Sequence, residues 1–256
     1  MGPVKAISSR DNPLLVRLRK LAADPGGYRR QGEIWLEGEH LCSAFVQRGG
    51  APTQAVVTEA AWAEPRWRDL AGHAAAVAVV PQPLMDALST LESPSPLGFV
   101  VPWEGAGTPA PDAPTVVLDR LQDAGNVGTI LRSASAFGFT QVIAMKGTAA
   151  LWSPKVLRAG MGAHFGLRLV EAVESLATLA VPLIATSSHA PQALHEASLP
   201  WPCAWVMGHE GQGVSPDLQR RCALLLRIPQ PGGEESLNVG AAAAICLYES
   251  ARQRMS

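Results

Sequence analysis

Several common signatures are missing from this sequence. Its four cysteines, Cys42, Cys203, Cys222 and Cys246, are scattered, with no C-x-x-C pair and no histidine at metal-ligand spacing. That argues against a disulfide framework and against a bound metal, and predicts reduced thiols that serve as packing residues in the cytoplasm. No stretch of about 18 uncharged apolar residues occurs, so no membrane span is expected. The opening MGPVKAISSRDNP has no apolar h-region, so no secretory signal is expected. Neither G-K-[ST] nor G-x-G-x-x-G occurs, which removes the phosphate-loop and dinucleotide fingerprints. The seven tryptophans are spread out and form no aromatic platform for single-strand stacking.

What is present is a chain of 256 residues, 47% hydrophobic and 17% charged, enough for a buried core in one large domain or two ordinary ones. The net charge of −1 hides an asymmetry. Residues 1–30 hold seven Lys and Arg against Asp11 and Asp24, a balance of +5, so the rest carries −6. A basic arm on an acidic body suits a polyanion such as structured RNA. The alternative is a solvated helix face, because Leu14, Leu15, Leu18 and Leu21 recur at helical spacing.

The Pro- and Gly-rich stretch 103–113 predicts a linker between residues 1–102 and 114–256. The first part reads as a small α/β domain, with strands at Glu33–Leu36, Ala55–Thr58, Ala76–Val80 and Leu97–Val101 and a helix at Glu39–Gln47. In the second part, strands are expected at Thr115–Leu118, Gln141–Met145, Leu183–Thr186, Ala204–Met207 and Leu224–Ile228. Between them fall helices at Val127–Phe137, Pro154–Ala159, Glu171–Leu179 and Pro216–Arg221, with Leu237–Ala251 last. Such alternation predicts an α/β fold with a mostly parallel sheet, which binds ligands at the carboxyl ends of its strands.

Three segments follow expected strands. LQDAGNVGTILRSASAFGF (121–139) places Asn126, Gly128 and Arg132 at N-x-G-x-x-x-R spacing. Asn126 is expected to cap the helix, and Arg132 to find an anion or leave for solvent. WVMGHEGQGVS (205–215) offers Gly208, Gly211 and Gly213 for close backbone approach to a ligand. RIPQPGGEESLNVGAAAAICLYE (227–249) runs through a loop at Pro229–Glu235 to Ser236, the expected cap of the last helix. That helix opens with Gly240 and four alanines, a nearly flat face suited to tight packing against another backbone, including that of a second subunit.

Together the three segments closely resemble the signature motifs of the SpoU/TrmH-type RNA 2′-O-ribose methyltransferases of the SPOUT superfamily, across residues 115–250. IWLEGEHLCSAFVQRG and the Ser-Pro turn before Leu97 resemble, more weakly, that family's ribosomal-protein-like substrate-binding domain. The resemblance implies a C-terminal deep trefoil knot, a homodimer formed by the knotted domains, and S-adenosylmethionine held against Gly208, Ile228 and Leu237. It implies Arg132 as the catalytic arginine, with Asn126, Glu210, Ser236 and Asn238 as the remaining polar motif residues. Gln230 stands where a Met is usual, and Gly240 where a Ser is usual.

Methyl transfer from a sulfonium is an in-line displacement that needs an aligned, activated hydroxyl. Arg132 is suited to stabilising the developing oxyanion and gripping the adjacent phosphate, not to acting as a base, since a guanidinium pKa exceeds about 12. Ser236 and Asn238 would position Arg132 or the ribose, and Glu210 offers a second role, fixing loop geometry through backbone N–H groups. His40, His73, His164, His189 and His195 lack a paired carboxylate or nucleophile and read as structural; His209 sits within the glycine loop. Lys155 and Arg158 suit either RNA contact or helix capping. Two other readings compete. A non-catalytic RNA-binding or ribosome-assembly protein would have no need of Asn126, Arg132, Ser236 and Asn238. A nicotinamide-dependent oxidoreductase would require the missing fingerprint.

Overall fold

The computed structural model describes residues 2–89, 93–232 and 236–255. In chain order the first elements are β1 (Val4–Ala6), α1 (Pro13–Ala23), α2 (Gly27–Gln31), β2 (Glu33–Glu37), α3 (Glu39–Gln47), β3 (Gln54–Thr58), α4 (Glu59–Ala63), α5 (Pro65–Ala71), β4 (Val77–Val80), α6 (Gln82–Asp86) and β5 (Leu97–Pro102). They continue with β6 (Thr115–Asp119), α7 (Ala124–Ala136), β7 (Gln141–Met145), α8 (Pro154–Gly160), β8 (Arg168–Val173), β9 (Leu183–Thr186), β10 (Ala204–Gly208), α9 (Pro216–Arg221), β11 (Leu224–Leu226) and α10 (Val239–Met255). Residues 1–105 with 152–165 form one compact unit, and 106–151 with 166–256 another.

In the first unit the sheet runs β1-β4-β3-β5-β2, parallel from β1 to β3 and antiparallel at β5. Helix α1 reconciles the two readings of the basic arm. Asn12 caps it by accepting the Leu14 N–H at 3.0 Å, and Pro13 occupies its first turn. Leu15, Leu18 and Leu21 are buried, while Arg17 and Lys20 are exposed. Burying each leucine contributes about 1.5–3 kcal/mol, so the apolar stripe seats the helix and leaves the cations outward. Arg17, Lys20 and Arg30 line one surface groove there, together with Asp24.

The second unit is built on a sheet ordered β11-β9-β10-β6-β7-β8, with every described pair parallel. Its core includes Val117, Ile143, Val170, Val206, Val214 and Leu218. The chain leaves β6 for β7 and β8 on one side, then returns to build β9, β10 and β11 on the other. The order therefore reverses between β6 and β10, the position at which parallel sheets open a ligand crevice. Trp205 of β10 is fully buried and donates its indole N–H to Ser250 of α10 at 2.9 Å, which fixes the last helix to the sheet.

Several expectations change. Of the expected helix Glu171–Leu179, Glu171–Val173 are instead the end of β8 and residues 174–179 are loop and turn: Val173 pairs with Met145 of β7, and the Glu171 carboxylate accepts the Leu151 N–H at 3.0 Å. Sheet pairing and a buried hydrogen bond outweigh helix propensity here. The expected linker is not free beyond residue 105. Ala106 O accepts the Glu171 N–H at 2.8 Å, and the buried Gln141 amide bonds Ala110 in both directions, at 2.7 and 3.1 Å. Gly107 has φ +75°, and a Cβ there would lie 2.5 Å from the Leu169 carbonyl oxygen. The flat Gly240–Ala244 face packs within the chain: Ala243 is fully buried, and Gly240 lies against Thr129 of α7. The outward side of α10 instead exposes Ile245 and Tyr248. The thiols are unpaired, and burial pushes those of Cys203 and Cys222 up to about 12 and about 11, so they pack as expected and are poor nucleophiles. Among the described residues no helix is long and apolar enough to cross a membrane.

Candidate functional site

Loops from the carboxyl ends of β6, β9, β10 and β11 converge at the switch point. Helix α7 is capped by Asp123, which accepts the Asn126 N–H at 2.7 Å, and not by Asn126 as the sequence suggested. Likewise α10 is capped by Asn238 and not by Ser236: Asn238 Oδ1 accepts the Gly240 and Ala241 N–H groups at 2.9 and 3.2 Å.

These caps determine the rest. With its oxygen committed to the helix, Asn238 must donate through Nδ2, and Asn126 Oδ1 accepts that bond at 2.9 Å. Asn126 must then donate through its own Nδ2, which meets Glu210 Oε1 at 3.3 Å. Glu210 also accepts the Gln122 and Asp123 N–H groups at 3.3 and 3.1 Å. One directional relay thus ties the three motif loops together, from helix dipole to carboxylate. Burial alone would raise the Glu210 pKa. Its own N–H, the Asp123 N–H, the Asn126 amide and the Gln122 N–H outweigh that and hold it below the usual carboxylate range. Glu210 is therefore an ionised loop clamp in geometry, the second of the two roles expected for it.

The glycine loop turns tightly: His209 and Gly213 exchange backbone hydrogen bonds at 3.0 and 2.8 Å, and His209 Nδ1 accepts the Gly211 N–H at 3.1 Å. A second tie joins it to β6. Asp119, 2% exposed at the strand end, accepts the Ser215 N–H at 2.7 Å and the Arg120 Nε–H at 2.9 Å. Arg120 also donates to Gln212 Oε1 at 3.2 Å. Burial alone would raise the Asp119 pKa, but the Arg120 and Ser215 hydrogen bonds bring it below its ordinary value.

Between the loops lies a cavity of about 670 Å³, lined by Gly208, Glu210, Ile228, Ser236, Leu237 and Asn238 among others. All three expected cofactor residues therefore share one wall system, of a size ordinary for small-molecule sites. Residues 233–235 of the expected loop Pro229–Glu235 lie outside the described residues. Gln230, the noted departure, also lines the cavity. Arg132 does not: it is exposed on α7, with no hydrogen bond or ion pair among the described residues. The sequence reading missed Thr186–His189, which border the cavity after β9, and the Asp119–Arg120–Gln212 tie. The strand-end rule points to Thr186–His189, whereas nothing local marks Asp119 as a buried acceptor for a loop 96 residues later.

Residues 113–248 match the model of the SpoU rRNA Methylase family. The chain is 33% identical to an uncharacterized tRNA/rRNA methyltransferase of Synechocystis sp., over 98% of this chain and 95% of that protein. It is 37% identical to the 23S rRNA (guanosine-2′-O-)-methyltransferase RlmB of Bordetella pertussis, over 54% of this chain and 59% of that enzyme. A solved RNA 2′-O ribose methyltransferase superposes with a TM-score of 0.81 at 30% identity, covering 98% of this chain and 100% of that one. The SpoU methyltransferase AviRb of Streptomyces viridochromogenes, solved with AdoMet, superposes with a TM-score of 0.85 at 25% identity, covering 96% and 99%.

Proposed function

Because the chain belongs to the SpoU rRNA methylase family, we propose that it transfers the methyl group of S-adenosylmethionine to a ribose 2′-hydroxyl of structured RNA, ribosomal or transfer. The observation that carries this reading is the Glu210–Asn126–Asn238 relay, whose two ends, Glu210 and Asn238, line a cavity at the sheet's switch point.

The cavity fits the cofactor. Gly208 brings backbone to its wall without a side chain, Ile228 and Leu237 give it apolar surface, and its volume of about 670 Å³ suffices. When bound, S-adenosylmethionine supplies an electrophilic methyl on a sulfonium. The chain's part is alignment and electrostatics. Asn126 and Glu210 hold the first two loops in register, while Asn238 and Ser236 present polar groups from the third. Arg132, free on α7, meets the RNA from outside the cavity, where its fork grips a phosphate and stabilises the charge growing on the 2′-oxygen. The proton leaves to phosphate or water.

The test is transfer of labelled methyl to unmodified ribosomal and transfer RNA by the purified protein. Label in alkali-resistant dinucleotides is expected, because a methylated 2′-oxygen cannot attack its phosphate. Label in the base, or none from protein that binds the cofactor, would refute the reading.

The family resemblance further supports a trefoil knot in residues 114–256, a ribosomal-protein-like substrate-binding domain in residues 1–102, and action in the cytoplasm. The exposed Arg17 and Lys20 of α1, beside Arg30, are the proposed docking cations. Reversing Arg17 and Lys20 to Glu should weaken RNA binding with cofactor affinity intact; unchanged RNA affinity would leave docking to the second unit alone.

We also propose a homodimer, with the second copy on the exposed Ile245 and Tyr248 of α10. Ile245→Arg should then give folded monomers by light scattering. Ala243→Arg, aimed into the chain's own core, should unfold it. A monomeric wild type at micromolar concentration would sink the dimer.

A further inference from the structure

Arg120 ties the glycine loop to β6, and that tie leaves part of its guanidinium unused. It sits at φ +62°, in the left-handed region that ordinary side chains avoid, directly after the central strand β6. Glycine would take this conformation without strain, so the position keeps a side chain against a conformational penalty. That side chain is aimed. Its Nε and Nη2 donate to the two oxygens of Asp119 at 2.9 and 3.4 Å, and its Nη1 donates to Gln212 at 3.2 Å. The Asp119 side chain is 3% exposed and that of Arg120 is 36% exposed, so a buried carboxylate anchors a guanidinium whose outer edge is open. Three of its five N–H groups are engaged among the described residues, which leaves one on each terminal nitrogen for an incoming acceptor.

Position identifies the acceptor. Gln212 borders the cavity, but Arg120 stands one residue further out and is not part of its lining. A ligand reaching both must extend from the cavity to the surface, as a nucleotide chain does and a methionine tail inside the pocket does not. A planar fork with two adjacent free N–H groups matches a phosphate. The Ser215 N–H and one edge of the Arg120 guanidinium serve the Asp119 carboxylate, and the outer edge of the guanidinium is left over once they have done so.

We propose that Arg120 is a phosphate-binding residue for the RNA substrate, held in place by Asp119 at the rim of the cavity. The inference rests on the RNA methyltransferase reading above. It adds a cation to the first motif loop that is distinct from Arg132.

The test uses the full-length protein, a fluorescein-labelled hairpin RNA titrated across a range of KCl concentrations, and calorimetry with S-adenosylhomocysteine. Arg120→Gly suits the backbone and removes the fork. It should weaken RNA binding about 10- to 100-fold and make the log–log salt slope shallower by about 0.7 to 0.9, the signature of one lost phosphate contact. S-adenosylhomocysteine affinity should change far less. Arg120→Gln keeps a donor for Asp119 near the Nε position but neither the fork nor the charge; it should show the same slope change and serves if the glycine variant does not fold. An unchanged slope in a folded variant would overturn the proposal and leave Arg120 as a loop tie. A loss confined to S-adenosylhomocysteine would overturn it in favour of the cofactor's carboxylate. Wild-type protein that binds neither ligand would overturn the RNA methyltransferase reading as well, so the two failures are distinguishable.

Discussion

Arg132→Ala should reduce methyl transfer by about two to three orders of magnitude, the usual cost of removing one preorganised donor from a developing oxyanion, while leaving the melting temperature and cofactor affinity almost unchanged. The structure makes this separation sharp. Helix α7 is held by Val127, Ile130, Leu131 and Ala134, all buried, whereas Arg132 projects to solvent with no partner among the described residues. Its loss therefore removes no packing and strands no buried charge, and alanine is at least as good a helix former. Arg132 is also outside the cavity lining, so calorimetry with S-adenosylhomocysteine should give a dissociation constant within a few-fold of wild type. Arg132→Lys tests the geometry: a point charge cannot reproduce a bidentate fork, so turnover should remain low. Near-normal turnover in the lysine variant would sink the bidentate role, and near-normal turnover in the alanine variant would remove Arg132 from the chemistry.

What the sequence left unread at this site is mostly a matter of partners. The residue types were legible, because strand-end loops with Asn126, Gly208 and Asn238 are unusual in any parallel sheet. The caps were not. Asp123 and Asn126 are both competent caps three residues apart, and the choice falls on Asp123 because Glu210 and Asn238 consume the Asn126 amide. Ser236 and Asn238 pose the same ambiguity, resolved by the start of α10 at Val239. Gly240–Ala244 was legible as a close-packing face, but sequence does not say against what, and Thr129 of α7 turns out to be the neighbour. Strands were mostly placed well because apolar β-branched runs between breakers have few other uses. β8 was missed because its charged and small residues, Glu171 and Ala172, become strand-like only beside β7. Ala172 sits at φ +55°, where the pairing with β7 shifts register, a local irregularity that no period-based reading anticipates.

Gly208→Ala should abolish measurable cofactor binding and destabilise the fold by about 1–3 kcal/mol, the range for overpacking a site that cannot relax. From the sequence, the need for glycine at this position is close backbone approach to a ligand. The backbone gives a different reason. A Cβ on Gly208 would lie 2.1 Å from Val214 N and 2.2 Å from Gly213 C, both main-chain atoms of the returning limb of the loop. No rotamer relieves that contact, so the limb itself must move. Movement is resisted on both sides: Val214 is buried in the core of the sheet, and the next residue, Ser215, is fastened to Asp119 at 2.7 Å. Displacing the limb breaks the His209–Gly213 pairing and carries Glu210 away from Asn126, opening the relay that shapes the cavity. Gly213 in the same loop is the control, because its requirement is conformational: φ is +67° and nothing lies within 4 Å of its Cβ position. Asn, which tolerates the left-handed region, should therefore replace Gly213 with little loss of cofactor affinity, whereas Gly208→Asn should fail as Gly208→Ala does. Thermal melts and calorimetric titration with S-adenosylhomocysteine check both pairs. Native affinity in Gly208→Ala would mean that the loop adapts, and that the relay through Glu210 is not what holds the cavity in shape.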